Sequence, residues 1–310
     1  MGLARTLFAR YRHPVADFPA GAPVGPPLPP GQIVSLTGRG ETFVRVNPGT
    51  GRNRPTVLLL HGWTASADLQ WCTAYRALGP YPFVAIDHRG HGRGIRSEEA
   101  FTLEAAADDA AAAVRQLGLG PVIAVGYSMG GPVAMLLRQR HPELVSGLVL
   151  AATSLEWRAS KLDRARWTTM AAVEGFFRSR LARRFARRAL AVCAVENPDL
   201  APWMSWLMAE LRRSDPRALR EAGEALGRYD ARPWAGDLRV ASAVLLTADD
   251  RLVAPRKQRA LAAALGADVV EIRGDHLAFL AHAEAFTDAL VQAIELVGSA
   301  QEKRSEDLAG

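Results

Sequence analysis

Ser128 lies in the pentapeptide Gly126-Tyr127-Ser128-Met129-Gly130, and it is the residue of this chain best placed for covalent chemistry. The run Val122-Ile123-Ala124-Val125 before it reads as a buried strand. Pro132 to Leu137 after it reads as the start of an amphipathic helix. A serine at such a strand-to-helix corner is a nucleophile elbow, where the backbone turns too sharply for large neighbours two residues away. The pentapeptide alone is common by chance; its context singles it out.

A serine hydroxyl is a poor nucleophile at neutral pH and needs a base within hydrogen-bond reach. Two later strand ends offer the partners. Thr247-Ala248-Asp249-Asp250-Arg251 follows Val244 to Leu246, and Arg273-Gly274-Asp275-His276 follows Val269 to Ile272. His276 is the expected base, taking the Ser128 proton and returning it to a leaving group; its plainer role is a histidine at a helix N-terminus. Asp250 is expected to hold the imidazole tautomer and stabilise its positive charge. Asp249 is the neighbouring alternative. Charge developing on a substrate carbonyl oxygen needs backbone N–H donors. Met129, directly after the nucleophile, is expected to supply one. The loop His61-Gly62-Trp63-Thr64, after the strand Val57 to Leu60, supplies the other at Trp63, and Gly62 lets the backbone approach closely.

The elements that must position these groups alternate along the chain. Ile33 to Leu36 and Thr42 to Val46 read as a hairpin joined through Gly38-Arg39-Gly40. Strands follow at Thr56 to Leu60, Phe83 to Ile86, Val122 to Val125 and Gly147 to Ala151. Helices are predicted at Asp68 to Leu78, at Leu103 to Leu117 behind Thr102 as N-cap, and from Pro132 to near His141. After an interruption of about 80 residues the pattern resumes with the strand Ala243 to Thr247 and the helix Pro255 to Leu265. The strand Asp268 to Ile272 and a helix from about Ala278 to Val297 complete it. Such alternation predicts an α/β fold with a mostly parallel sheet covered on both faces. All three polar groups then fall on one sheet edge, where open α/β sheets place their sites.

Bulk composition fits a soluble enzyme-sized chain. Its 310 residues are 49% hydrophobic and 23% charged, and no apolar run approaches the ~18 residues of a membrane span. The N-terminus carries no apolar stretch of signal-peptide length, and two cysteines, Cys72 and Cys193, are too few for a disulfide framework. Both features point to a cytoplasmic setting. Seven of the 19 prolines fall between Pro14 and Pro30, so residues 1–31 read as an extended, poorly packed arm. The polar tail 298–310 reads as disordered. The net charge of +6 is concentrated: residues 157–188 hold ten basic and two acidic side chains, so the rest of the chain is slightly acidic.

These motifs together resemble the α/β-hydrolase family, in particular its bacterial serine hydrolases of carboxylesterase or lipase type. The resemblance rests on His61-Gly62-Trp63, Asp87-His88-Arg89-Gly90-His91-Gly92, Gly126 to Gly131, Asp250 to Pro255 and Gly274-Asp275-His276. It implies a core of residues 32–153 and 236–297, no metal and no organic cofactor, and a structural role for Asp87 and Arg89. Many relatives carry a small hydroxyl residue after the glycine matching Gly92, whereas Arg93-Gly94 stands here, where the pocket rim is expected. Relatives that open epoxides or remove halogen use an aspartate nucleophile; serine instead supports an acyl-enzyme formed from an ester, thioester or lactone.

Residues 154–235 match the position of the family's helical cap, which roofs the pocket. Trp157, Trp167, Phe176, Phe177, Trp203, Trp206 and Trp234 concentrate aromatics there, and most are expected to pack cap against core. Met170, Val173, Phe177, Leu181 and Phe185 follow helical spacing, but Arg184 and Arg188 fall on the same side. Solvated arginines with apolar stems explain this simply. The sharper alternative is a basic lid that attracts anionic acyl substrates or touches an anionic membrane surface. Nucleic acid is not an expected partner, since no reading module accompanies the basic run. The function expected is hydrolysis of a small-molecule ester, with a non-hydrolytic ligand-binding relative as the other class.

Overall fold

A computed structural model describes residues 23–157 and 179–309. Eight strands form one sheet in the order β1-β2-β4-β3-β5-β6-β7-β8: β1 Gly31–Leu36, β2 Gly40–Pro48, β3 Val57–Leu60, β4 Pro82–Ile86, β5 Val122–Tyr127, β6 Val145–Ala151, β7 Ala241–Thr247 and β8 Asp268–Ile272. The expected hairpin is present, with Leu36 paired to Gly40, and β2 also runs antiparallel to β4; every later pairing is parallel. β3, β5 and β7 are buried on both faces, as continuous apolar runs in a doubly covered sheet must be.

The flanking helices are α1 Ala67–Trp71, α2 Leu103–Gln116, α3 Gly130–Arg140, α7 Pro255–Leu265, α8 Ala278–Ala281 and α9 Ala283–Ala309. Thr102 caps α2 by accepting the Ala105 N–H, as expected. Two apolar layers result. One packs α2, α3 and α7 on the sheet around Val133, Leu137 and Leu246; the other packs α1 and α9 around Trp71, Tyr127 and Phe286.

Between β6 and β7 the sheet rhythm gives way to helices α4 Arg180–Glu196, α5 Met204–Glu210 and α6 Pro216–Arg228. The ends of this insertion are tied at its neck by an isolated antiparallel bridge between Glu156 and Asp230 and by the Ala231 N–H donating to the Leu155 carbonyl.

Four expectations need correction. The helix predicted over Asp68 to Leu78 is regular only to Trp71. Beyond it Ala74, Tyr75 and Leu78 stay buried, but successive turns carry them. The last helix breaks at His282 and then runs to Ala309, so a helix occupies the tail expected to be disordered. Its polar residues are mostly good helix formers, and Gly298 costs only ~1 kcal/mol. Finally, the described end of the N-terminal arm is packed. Pro26 is buried, Gly25 lies so close to the Trp206 indole that a Cβ there would sit 2.7 Å from it, and the Pro29 carbonyl accepts from Arg45. Residues 1–22 lie outside the described residues, as do Trp167, Met170, Val173, Phe176 and Phe177.

Candidate active site

The corner between β5 and α3 places Ser128 at φ 51°, in the left-handed region where non-glycine residues are strained. Backbone bonds hold it there. Its N–H donates to Ala151, and its carbonyl accepts the Gly131 N–H and the Thr153 hydroxyl. The two glycines of the pentapeptide are needed for contact: a Cβ on Gly126 would lie 2.2 Å from the Gly130 carbonyl oxygen, and one on Gly130 would lie 2.1 Å from that of Leu60.

Ser128 Oγ is 3.0 Å from His276 Nε2, and His276 Nδ1 is 2.8 Å from Asp250 Oδ2. The structure thus brings together three side chains from the ends of β5, β7 and β8. Asp250 is 3% exposed and fully engaged: Oδ1 accepts the Leu252 and Val253 N–H groups, and Oδ2 also accepts the Thr247 hydroxyl. Burial alone would raise its pKa. The His276 hydrogen bond and charge, with the Val253 and Leu252 N–H groups, outweigh burial and hold the carboxyl below its ordinary value. Asp249 is exposed and accepts the Gly274 N–H instead, so the alternative does not meet His276.

The expected N–H donors flank the same corner. Met129 precedes the first helical residue of α3, so no carbonyl one turn earlier can take its N–H. A Cβ on Gly62 would meet Ser128 Cβ at 3.4 Å, which brings the Gly62-Trp63 backbone against the nucleophile. Trp63 is anchored by its indole, which donates to the Leu219 carbonyl in α6 and packs on Gly223, where a Cβ would intrude to 2.7 Å.

His61 braces this loop. Its Nε2 accepts the His88 N–H, leaving Nδ1 to donate to the Gly62 carbonyl. Burial pushes its pKa down to about 4 and that of His91, whose ring is tilted against it at 5.5 Å, to about 3, so both are neutral. Asp87 and Arg89 serve structure, as expected: Asp87 accepts the Ala67 and Arg93 N–H groups, and Arg89 pairs with Asp109. Arg93 does not line the pocket rim. Its guanidinium lies over Phe43 and bonds Asp68, which also pairs with buried Arg45.

Above Ser128 opens a cavity of ≈ 480 Å³. Its walls come from the Gly62-Trp63 loop, Leu69 and Gln70 of α1, Ala186, Ala189 and Leu190 of α4, Leu211 and Leu226 of the insertion, and Phe279 and Leu280 of α8. Among the described residues, no titratable side chain lines it apart from His276 and the Tyr127 phenol. A larger hollow of ≈ 940 Å³ lies between the arm and the start of α9, away from Ser128.

Four supporting residues were not picked out from sequence. Gln258 of α7 donates to Thr247 Oγ1 and the Val253 carbonyl and accepts the Thr247 N–H, clamping the Asp250 loop. Its signal was a polar residue in the buried stripe with Leu261 and Ala262. Tyr127, through its hydroxyl on the His276 carbonyl, holds the histidine loop. Thr247 and Gln70 gave no pattern to find.

A sheet of this strand order with a serine elbow after β5 defines the class of protein: the chain belongs to the alpha/beta hydrolase fold family, whose model matches residues 55–283. It is 31% identical over 235 residues to a pimeloyl-[acyl-carrier protein] methyl ester esterase of Neisseria meningitidis serogroup C, covering 74% of this chain and 90% of that one. Among solved structures, a hydrolase from Pseudomonas aeruginosa superposes with a TM-score of 0.72 at 21% identity, covering 85% of this chain and 98% of that one. The enol-lactonase from Burkholderia xenovorans gives 0.71 at 22%, covering 85% and 100%.

Proposed function

We propose that this protein is a serine carboxylesterase working through an acyl-enzyme. The observation that carries the reading is the unbroken chain Ser128 Oγ, His276 and Asp250, at 3.0 and 2.8 Å, on the floor of an apolar cavity. Ser128 Oγ attacks the ester carbonyl carbon as its proton passes to His276 Nε2. The carbonyl oxygen takes up the electron pair and is held by the Met129 and Trp63 N–H groups. Collapse of the tetrahedral adduct expels the alkoxide, which leaves as alcohol with the proton from His276. Water, deprotonated by His276, then attacks the acyl-serine and releases the carboxylic acid. Asp250, kept ionised, fixes the imidazole tautomer and offsets its charge in both halves.

The cavity suits an uncharged acyl chain of small to medium size, and likeness to the methyl ester esterase of Neisseria suggests a methyl ester of an acyl chain. Thioesters and lactones fit the same chemistry. In this reading residues 154–235 act as the cap that sets substrate shape. Two buried free cysteines suit a reducing cytoplasm.

Fluorophosphonate labelling and aryl-ester turnover test the proposal. Wild-type protein labels at Ser128, and Ser128→Ala loses on the order of 10⁴-fold or more in kcat while keeping its melting temperature. Near-wild-type turnover in that variant would refute it.

One observation favours a second reading of how substrate arrives. On α4, Leu181, Phe185, Val192 and Val195 are exposed beside Arg183, Arg184, Arg187 and Arg188. Such a face would draw an anionic substrate or anionic surface to the cavity mouth. Rising salt should then depress kcat/KM steeply for anionic esters and hardly at all for neutral ones.

A further inference from the structure

Gln70 is 1% exposed at the wall of the cavity, one residue before the end of α1. Its Oε1 accepts the Gly62 N–H at 3.3 Å. Since only the oxygen of an amide can accept, this bond fixes the side-chain orientation and leaves Nε2 as the remaining donor. That Nε2 is buried and has no hydrogen-bond partner among the described residues. Buried side-chain donors are nearly always paired, so an unpaired one at the wall of a binding cavity is a candidate donor to a bound substrate.

The place of this donor narrows what the acceptor can be. Gln70 Oε1 and Ser128 Cβ lie 3.2 and 3.4 Å from the same point, the position of a Cβ built on Gly62. The amide oxygen and the nucleophile are therefore neighbours of the same Gly62 backbone. Among the described residues the surrounding wall is Leu69, Leu190, Leu211, Leu226, Phe279 and Leu280, with no arginine or lysine to balance an anion.

Building on the esterase reading, we infer that Gln70 Nε2 is a specificity-determining donor that selects esters with a second, neutral oxygen within two or three bonds of the reacting carbonyl. An ether, ketone or hydroxyl oxygen there completes the pairing of Nε2; a hydrocarbon acyl chain leaves the donor buried and unpaired. Sites built to hydrogen-bond a substrate oxygen discriminate against analogues that lack it far better than apolar walls discriminate by size.

Matched acyl chains of equal length test this. Wild type and Gln70→Met are compared on p-nitrophenyl methoxyacetate against butanoate, and on 3-methoxypropanoate against pentanoate. Dividing one enzyme's ratio of kcat/KM by the other's cancels the intrinsic reactivity of each ester. The expected result is a wild-type preference for the ether member that falls by roughly tenfold in Gln70→Met for at least one pair. Gln70→Leu serves if the methionine variant does not fold, judged by its melting temperature. Ratios within twofold of wild type overturn the inference. So does a parallel loss on all four esters, which would mean that Gln70 acts only by holding Gly62. Wild type inert to every ester and to fluorophosphonate would overturn the esterase reading itself, a result distinct from active enzyme with unchanged ratios.

Discussion

The sheet edge and the helical insertion above it are built on opposite terms. At the edge, Ser128, Asp250 and His276 are held by backbone geometry and by bonds that leave no slack. Asp250 alone accepts from two N–H groups, a hydroxyl and an imidazole. Across the cavity, α4 contributes small or aliphatic side chains inward and turns Leu181 and Phe185, at 54% and 59% exposure, outward among arginines. Reaction chemistry needs placement to within fractions of an ångström and so demands overdetermined contacts. Substrate shape needs only a wall, and walls tolerate exchange.

The sharpest way to break this comparison is at the adjacent aspartates. Asp250→Asn should lower kcat by on the order of 10⁴-fold by presenting the wrong imidazole tautomer. Asp249→Asn, one residue away and exposed, should stay within about threefold; equal losses would remove Asp250 from its role. Next in size is Gln258→Leu, which strips three hydrogen bonds from the Asp250 loop. It should cost ~10- to 100-fold in kcat/KM through misplacement of Asp250, read alongside a lowered melting temperature.

Acid probes the same edge through stability. Unfolded, His61 and His91 take up protons near pH 6.5; folded, they stay neutral down to about 4 and 3. Stability is therefore full above pH 6.5 and falls as pH drops toward 4, by up to ~1.4 kcal/mol per pH unit for each proton. Asp250, depressed in the fold, adds its own loss only below its ordinary value of 3.8. Denaturant midpoints between pH 8 and 4 measure this, and a flat profile would contradict the buried neutral histidines. The smallest effect belongs to the insertion: Leu181→Ser and Phe185→Ser should each change stability by less than ~0.5 kcal/mol. A larger loss would mean that this face is packed in solution.

Much of this was legible in sequence for particular physical reasons. Asp268 to Ile272 and Pro255 to Leu265 have the bounds expected, because a strand edge and a proline at the first helical turn are local signals. The helix expected over Asp68 to Leu78 differs in form, though Leu69, Trp71, Ala74, Tyr75 and Leu78 within it are all buried. The chain leaves regular helix after Trp71, and Thr73 donates instead to the Phe279 carbonyl over 200 residues away. The exposed side of α4 was equally illegible, since Leu181 and Phe185 look like core residues until the insertion docks by Ala186, Ala189 and Leu190.

By itself, the sequence determined the strand-to-helix corner, the chain order of Ser128, Asp250 and His276, and the family to which they belong. These depend on backbone rules that act over a few residues and on strand ends that a parallel sheet must gather on one edge. Tertiary structure alone decided that Asp250 rather than Asp249 meets His276, that Gln258 clamps its loop, and that Gln70 is left with an unpaired donor at the cavity wall. Each of those is a hydrogen bond, or the lack of one, between groups brought together only by packing, and no local pattern encodes it.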